Sequence, residues 1–137
     1  METIKIYRRE TFNSAHRLFQ EGLTDLENYT IYGTCSNPNS HGHNYVIEVW
    51  IEGEIDPKTG YLIDLKDLKK IIQEEVCDRF DHKNLNLDCP EFMERIPTTE
   101  NIAIVCWQLI RPHLEAHLSL EVIISETEKN KAAYKGK

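Results

Sequence analysis

Apolar and polar residues alternate along several segments of the chain, a pattern typical of β-strands with one buried face. The alternation is clearest where Tyr45, Ile47 and Val49 occupy every second position. Strands are predicted in this way at residues 3–15, 42–54, 118–127 and 132–135. Turn-forming residues at 56–60 further predict that residues 61–64 return along the second strand as a hairpin.

Two other segments repeat apolar residues at the spacing of an amphipathic helix. The first covers residues 65–79, and Asp64 is placed to cap its first turn. The second begins after Thr98 or Thr99 and ends near Pro112, because proline cannot continue a helix. Two helices on one face of a four-stranded antiparallel sheet give an α+β fold of two layers.

Composition limits the partners that we expect. The 137 residues, 40% of them hydrophobic, predict a single domain over residues 1–137. A net charge of −7 without a basic cluster argues against nucleic acid. No run of about 18 apolar residues predicts a membrane span. The opening METIKIYRRE lacks the apolar centre of a signal peptide, so we expect a cytoplasmic protein with reduced cysteines.

Three histidines, His16, His41 and His43, form a candidate metal site. His41 and His43 are two residues apart on a predicted strand, so their side chains lie on one face. His16 ends another predicted strand. Three imidazoles suit zinc and leave its fourth position open, as in catalytic sites. From spacing alone, ordinary hydrogen-bonded histidines remain an alternative.

Cys35 lies in a polar connection, residues 20–39, that is long for a compact domain. Connections of this length are usually functional or cover another part of the molecule. The thiol is therefore a candidate for chemistry beside the histidines. It is equally compatible with a fourth ligand that closes a structural metal site, or with an inert buried cysteine.

Seven motifs follow one another along nearly the whole chain. They are FNSAHRL (12–18), GTCSNPNSHGHNY (33–45), GEIDPKTG (53–60), IDLKDLKK (63–70), FDHKNLN (80–86), PTTEN (97–101) and ISETEKN (124–130). Together they closely resemble the 6-pyruvoyl-tetrahydropterin synthase family, whose fold is the tunnelling fold. The resemblance implies zinc on the three histidines and Cys35 as the catalytic thiol, with Asp81 and His82 as its partners. It also implies that Glu126 anchors a pterin in a pocket lined by Thr98, Thr99 and Glu100.

The implied activity is that of a carbon–oxygen lyase. Its substrate is 7,8-dihydroneopterin triphosphate, and its product, 6-pyruvoyl-tetrahydropterin, belongs to tetrahydrobiopterin biosynthesis. The zinc ion, Arg17 and Lys83 are candidate sources of positive charge for the triphosphate. The resemblance further implies a homohexamer of two stacked trimeric barrels, in which a neighbouring subunit delivers Asp81 and His82 to the thiol and the zinc.

Two alternatives remain open at this point. The sister branch, 6-carboxy-tetrahydropterin synthase of queuosine biosynthesis, shares the fold and the zinc site. There the cysteine usually lies three residues before the HGH motif, whereas five residues separate Cys35 from His41 here, which favours the pyruvoyl branch. The other alternative is a non-catalytic, zinc-stabilised pterin-binding module in which Cys35 completes a closed site.

Overall fold

The computed structural model of the protein describes residues 2–137, which contain a five-stranded sheet with strand order β3-β1-β2-β4-β5. The strands are β1 (Thr3–His16), β2 (His41–Glu54), β3 (Lys83–Asn84), β4 (Ser119–Ser125) and β5 (Lys131–Tyr134). The helices are α1 (Asp25–Tyr32), α2 (Leu65–Ile72), α3 (Asp78–Phe80), α4 (Leu85–Asp88) and α5 (Thr99–Ile110). Within residues 2–137, none of the helices combines the length and the apolar character needed to cross a bilayer.

The long strands β1 and β2 lie at the centre of the sheet. They pair antiparallel over their full lengths, from Thr3 opposite Glu54 to His16 opposite His41. The predicted alternation is confirmed, because every second side chain of β2 faces the core. The fully buried members of this row are Tyr45, Ile47, Val49 and Ile51. The same row begins with the predicted metal ligands, so the sheet determines which way they face.

The two predicted helices and their caps are confirmed. The Asp64 side chain accepts a hydrogen bond from the Lys66 amide at 2.9 Å, and that of Thr98 accepts one from the Asn101 amide at 3.1 Å. Such caps contribute about 1 kcal/mol each. A π-helical turn at Gln73–Cys77 joins α2 to α3, so the helix predicted at 65–79 is continuous but locally widened. The helices bury their apolar residues, among them Leu68, Ile72, Val76, Phe80, Ile102, Cys106 and Ile110, in one core with the sheet.

The prediction of four antiparallel strands needs a correction, because the sheet has a fifth strand that runs parallel. Strand β3 pairs with the end of β1, where Ser14 lies opposite Lys83. Two hydrogen bonds to Asn13 hold this segment against the edge of β1. The His82 amide donates to the Asn13 carbonyl at 2.6 Å, and the Asp81 carboxylate accepts from the Asn13 amide at 2.7 Å. A strand of two residues has too short a pattern to be predicted from alternation.

The predicted hairpin arm at residues 61–64 is wrong. The turn itself forms, with hydrogen bonds from the Asp56 amide to the Tyr61 carbonyl and from the Gly60 amide to the Asp56 carbonyl. Gly60 adopts φ +76°, which favours glycine. The chain then leads into the cap at Asp64, and β2 is already paired on both sides, with β1 and with β4.

The long connection between β1 and β2 contains a helix, α1, that periodicity does not predict. Its exposed side is the apolar one, with Leu26 76%, Tyr29 54% and Ile31 56% exposed, whereas Asn28 is buried. The helix is instead recognisable from its capping box, in which Thr24 and Glu27 satisfy each other's backbone amides. A 3-10 turn at Gly33–Ser36 follows α1 and carries Cys35.

Candidate active site

Strand register brings the three predicted histidines together at one end of the sheet. His16 is the last residue of β1 and lies opposite His41, the first residue of β2, while His43 lies opposite Ser14. All three rings face the side covered by the helices. On the next strand, Val46 pairs with Ser125. The following residue, Glu126, therefore faces the same side beside the histidines.

The side chains of His16, His41, His43 and Glu126 form a compact group, here called the histidine cluster. One ligand atom from each of the four lies within 4.8 Å of all the others. The His16 and His41 Nε2 atoms are 3.1 Å apart. Glu126 Oε1 lies 2.7 Å from His43 Nε2 and 3.8 Å from His16 Nε2. Nitrogen and oxygen atoms that converge in this way can share a single metal ion.

His16 is oriented by a backbone acceptor. Its ring is fully buried, and Nδ1 lies 2.7 Å from the carbonyl oxygen of Pro97, so that Nδ1–H donates and Nε2 keeps a free lone pair. Metal-binding histidines are usually fixed in this manner. The Tyr45 hydroxyl lies 3.2 Å from Nδ1, and burial raises the pKa of Tyr45, which keeps it a neutral phenol.

The electrostatics of the histidine cluster favour the neutral imidazole at two of its members, His16 and His41. Burial lowers the pKa of His16 and of His41, and the neighbouring imidazoles lower both further. The buried His41 Nδ1 has no hydrogen bond, and the buried His43 Nε2, although 2.7 Å from Glu126 Oε1, has none of acceptable geometry. Buried polar atoms are rarely left unsatisfied. Neutral imidazoles with unused lone pairs next to a carboxylate fit a metal ion.

Cys35 lies near the histidine cluster without being a member of it. Its carbonyl accepts a hydrogen bond from the Leu18 amide at 2.9 Å, which places the thiol-bearing turn next to the residues that follow His16. The side chain is partly exposed. Among residues 2–137, the fourth member of the metal-binding group is the carboxylate of Glu126 and not this thiol. The predicted site thus retains a free thiol at its border.

Asp81 and His82 form a pair on the surface, close to the end of β1. Asp81 Oδ2 lies 2.9 Å from His82 Nδ1. His82 has φ +58°, in the left-handed region, and its side chain is 84% exposed. The pKa of Asp81 is lowered, mainly by the hydrogen bond from the Asn13 amide and to a smaller extent by the hydrogen bond with His82. Within the described chain, no hydrogen bond joins this pair to Cys35.

The predicted pterin-binding residues have different surroundings. The Thr99 hydroxyl donates to Glu126 Oε2 at 2.5 Å, so this threonine holds the carboxylate of the cluster. The Thr98 side chain caps α5, and Glu100 is exposed in its first turn. A surface cleft of about 690 Å³ reaches His43 and Glu126, but most of its lining, including Asn44, Val46 and Glu48, belongs to the face of the sheet opposite the core.

Two features of the site are absent from the sequence-based prediction. Tyr45 contacts the buried His16, a predicted metal ligand, and its position two residues after His43 on the same strand face is a signal for this contact. The Pro97 carbonyl also orients His16, but it comes from a segment 81 residues away. No local pattern in the sequence indicates that contact.

Comparisons with known proteins agree on one family. A family model described as 6-pyruvoyl tetrahydropterin synthase matches residues 5–137. The 6-pyruvoyl tetrahydrobiopterin synthase of Dictyostelium discoideum is 46% identical over 134 residues, which are 98% of this chain and 97% of that protein. The human protein of the same name is 42% identical over 132 residues, 96% of this chain and 91% of the human one. The solved structure of the Caenorhabditis elegans 6-pyruvoyl tetrahydropterin synthase superposes with a TM-score of 0.93 at 40% identity, covering 100% of this chain and 98% of that one.

Proposed function

The chain belongs to the 6-pyruvoyl tetrahydropterin synthase family, and we propose that it converts 7,8-dihydroneopterin triphosphate to 6-pyruvoyl-tetrahydropterin. In this lyase reaction the side chain of the substrate loses triphosphate. The elimination itself produces one carbonyl group and leaves the terminal carbon as a methyl group. Oxidation of the other hydroxyl-bearing carbon is balanced by the two-electron reduction of the dihydropterin ring, so no external oxidant is required. The observation that carries the proposal is the histidine cluster, in which the Nε2 atoms of His16 and His41 lie 3.1 Å apart and burial lowers the pKa of both rings.

We propose zinc as the ion of this site, held by His16, His41 and His43. Three neutral imidazoles are a common ligand set for catalytic zinc. When bound, zinc would supply a Lewis acid for the negative charge that develops on the side-chain oxygens of the substrate. The hydrogen bond from His16 to Pro97 and the contact with Tyr45 hold the first ring for this role.

Cys35 is the base in this proposal, and it removes a proton from a hydroxyl-bearing side-chain carbon of the substrate. A free thiol has a pKa of about 8.5 and therefore needs a partner that accepts its proton near neutral pH. The position of the turn next to residues 17 and 18, directly after a zinc ligand, supports this role. Cys77, Cys89 and Cys106 are weaker candidates, because burial raises the pKa of each.

Asp81 and His82 are the proposed proton acceptors for the Cys35 thiol. The 2.9 Å contact fixes the imidazole, and the carboxylate stabilises the imidazolium that forms when the ring takes a proton. High exposure of His82 supports its delivery to the thiol of a neighbouring subunit. We therefore propose the homohexamer implied by the family, with active sites between subunits. We also propose a cytoplasmic location.

Glu126 is proposed to accept hydrogen bonds from the pterin amino group and a ring N–H. A carboxylate matches two parallel donors well. Thr99 already orients this carboxylate through Oε2, while Thr98 and Glu100 belong to the same helix end and complete the proposed pocket wall.

Product analysis tests the function directly. Purified protein is loaded with zinc and incubated with 7,8-dihydroneopterin triphosphate, and the products are identified by chromatography with mass spectrometry. We expect 6-pyruvoyl-tetrahydropterin and one equivalent of triphosphate, and neither from protein treated with a chelator. A 6-carboxy product with loss of a two-carbon fragment would assign the chain to the sister branch. Absence of turnover in the zinc-loaded protein would contradict both assignments.

A further inference from the structure

Arg17 lies where three segments of the proposed site are in contact. They are the end of β1, the turn that carries Cys35, and the residues that follow the Asp81–His82 pair. Arg17 directly follows the cluster residue His16. The side chain of Asn86 makes two hydrogen bonds with the backbone of Arg17. The Arg17 amide donates to Asn86 Oδ1 at 2.7 Å, and Asn86 Nδ2 donates to the Arg17 carbonyl at 2.9 Å. Asn86 lies in α4, just after β3 and the Asp81–His82 pair. The backbone of Arg17 is thereby fixed.

The side chain of Arg17 continues this connection to the turn that carries Cys35. Its Nε–H donates to the Ser36 carbonyl at 2.7 Å, and the neighbouring Leu18 amide donates to the Cys35 carbonyl at 2.9 Å. Two consecutive carbonyls of the turn are therefore bound by two consecutive residues of the chain. Ser36 is itself buried, and its hydroxyl donates to the Gly33 carbonyl.

The guanidinium group is already engaged by the protein. Its side chain is only 16% exposed, and its carbon Cζ lies 4.1 Å from the ring centre of Phe19. One remaining nitrogen lies 3.3 Å from Asp25, whose side chain is 83% exposed. Exposed pairs of this kind contribute little to stability. The short, partly buried side-chain hydrogen bond of Arg17 is the Nε–H bond to the turn, which does not require the positive charge.

We propose that Arg17 is a positioning residue that fixes the Cys35 turn relative to the histidine cluster, rather than a cation that binds the triphosphate. This inference rests on the proposed function, because it assigns Arg17 to the same reaction. Two hydrogen bonds on successive peptides restrict both translation and rotation of the turn. A base must lie within hydrogen-bond reach of the carbon-bound proton, so loosening the turn slows the chemical step without weakening substrate binding.

Two variants of similar length separate the donor from the charge. In Arg17→Gln the terminal nitrogen is attached to Cδ, as Nε is in arginine, so a donor remains while the charge is lost. Arg17→Met removes both the donor and the charge. We expect Arg17→Met to lower kcat by about 10-fold to 100-fold with an unchanged KM, the loss typical of a small misplacement, and Arg17→Gln to stay within about threefold of wild type. Asp25→Asn is the control and should behave as wild type.

Hydrogen exchange measured by mass spectrometry provides a readout that does not depend on turnover. The Leu18 amide and the amides of residues 33–40 should exchange faster in metal-loaded Arg17→Met than in Arg17→Gln, with bound metal equal in both. If both variants instead raise KM strongly and keep kcat, Arg17 binds the triphosphate and the proposal is wrong. An unchanged kcat in Arg17→Met would equally overturn it.

A second variant keeps the test available if Arg17→Met does not fold. Asn86→Asp retains the acceptor for the Arg17 amide and removes the donor to its carbonyl. We expect a smaller decrease in kcat at constant KM, together with faster exchange at Leu18, and no change in either would contradict the proposal. If the wild-type protein shows no turnover, the proposed function fails, whereas the exchange comparison still decides whether Arg17 fixes the turn.

Discussion

Two groups of histidine and carboxylate lie along the last four residues of β1, and their surroundings are opposite. In the histidine cluster His16 is fully buried, and Glu126 is in contact with two rings. In the second group, His82 is 84% exposed and is held by Asp81, which is bound to the backbone of the same strand. Both groups combine imidazole with carboxylate, but only the first has buried nitrogens without hydrogen bonds.

The comparison shows that the degree of burial determines which role a histidine beside a carboxylate can have. Burial favours the neutral imidazole, and the pKa of His16 and of His41 is lowered accordingly. Neutral rings with converging lone pairs are suited to a cation. An exposed imidazole held by a carboxylate is within reach of groups outside the chain, which suits proton transfer. The following predictions test this division.

The largest effect is expected when a member of the histidine cluster is removed. His43→Ala deletes one of three proposed zinc ligands, and we expect bound metal to fall well below one per chain and turnover to fall by at least about 10³-fold, since the Lewis acid contributes several kcal/mol. Metal content is measured by mass spectrometry of the dialysed protein. His117→Ala, at an exposed side chain, is the control. Full metal content in His43→Ala would show that the cluster is not the site.

Cys35 is the proposed base, which acts with both groups. Its removal distinguishes loss of the base from loss of the metal. Cys35→Ala should lower turnover by about 10³-fold to 10⁴-fold, the upper range for loss of a base, while bound metal stays near one per chain. The measurement pairs steady-state kinetics with metal analysis, and Cys89→Ala serves as the control for loss of a thiol. A parallel loss of metal would instead identify the thiol as a ligand that closes the site.

Removal of the exposed imidazole tests the second group. His82→Ala should lower kcat by about 10²-fold to 10⁴-fold and leave metal content unchanged, because acid–base assistance is lost while the cluster is intact. His113→Ala, another partly exposed histidine beside a carboxylate, is the matched control. A loss below about threefold would remove His82 from the mechanism.

The smallest effect is the pH dependence of the metal-free protein. The lowered pKa values mean that the unfolded chain takes up protons near pH 6.5 while folded His16 and His41 stay neutral. These two residues therefore stabilise the fold above pH 6.5, and that contribution is lost as the pH falls from 6.5 through their lower folded values. NMR titration of the two rings measures the pKa values, and urea unfolding measures the stability. Ring titration at or above 6.5 would contradict the assignment.

Much of the site can be predicted because it follows from local periodicity. His41 and His43 are two residues apart on a strand that alternates over its whole length, so their common face is determined before any tertiary contact is known. The caps at Asp64 and Thr98 are equally local, since each side chain binds an amide two or three residues away. The parallel strand β3 lacks such a pattern, and helix α1 lacks apolar periodicity and is marked only by its capping box.

The sequence by itself determined the histidine pair, the long strands, the two capped helices and the family, because each depends on residues that are close in the chain or on motifs in order. Only the tertiary structure decided that Glu126 meets His43, that the Pro97 carbonyl orients His16, and that Asn86 and Ser36 meet at Arg17. These contacts join residues 19 to 83 positions apart. They depend on strand register and on how loops pack against the sheet end, which no local spacing encodes.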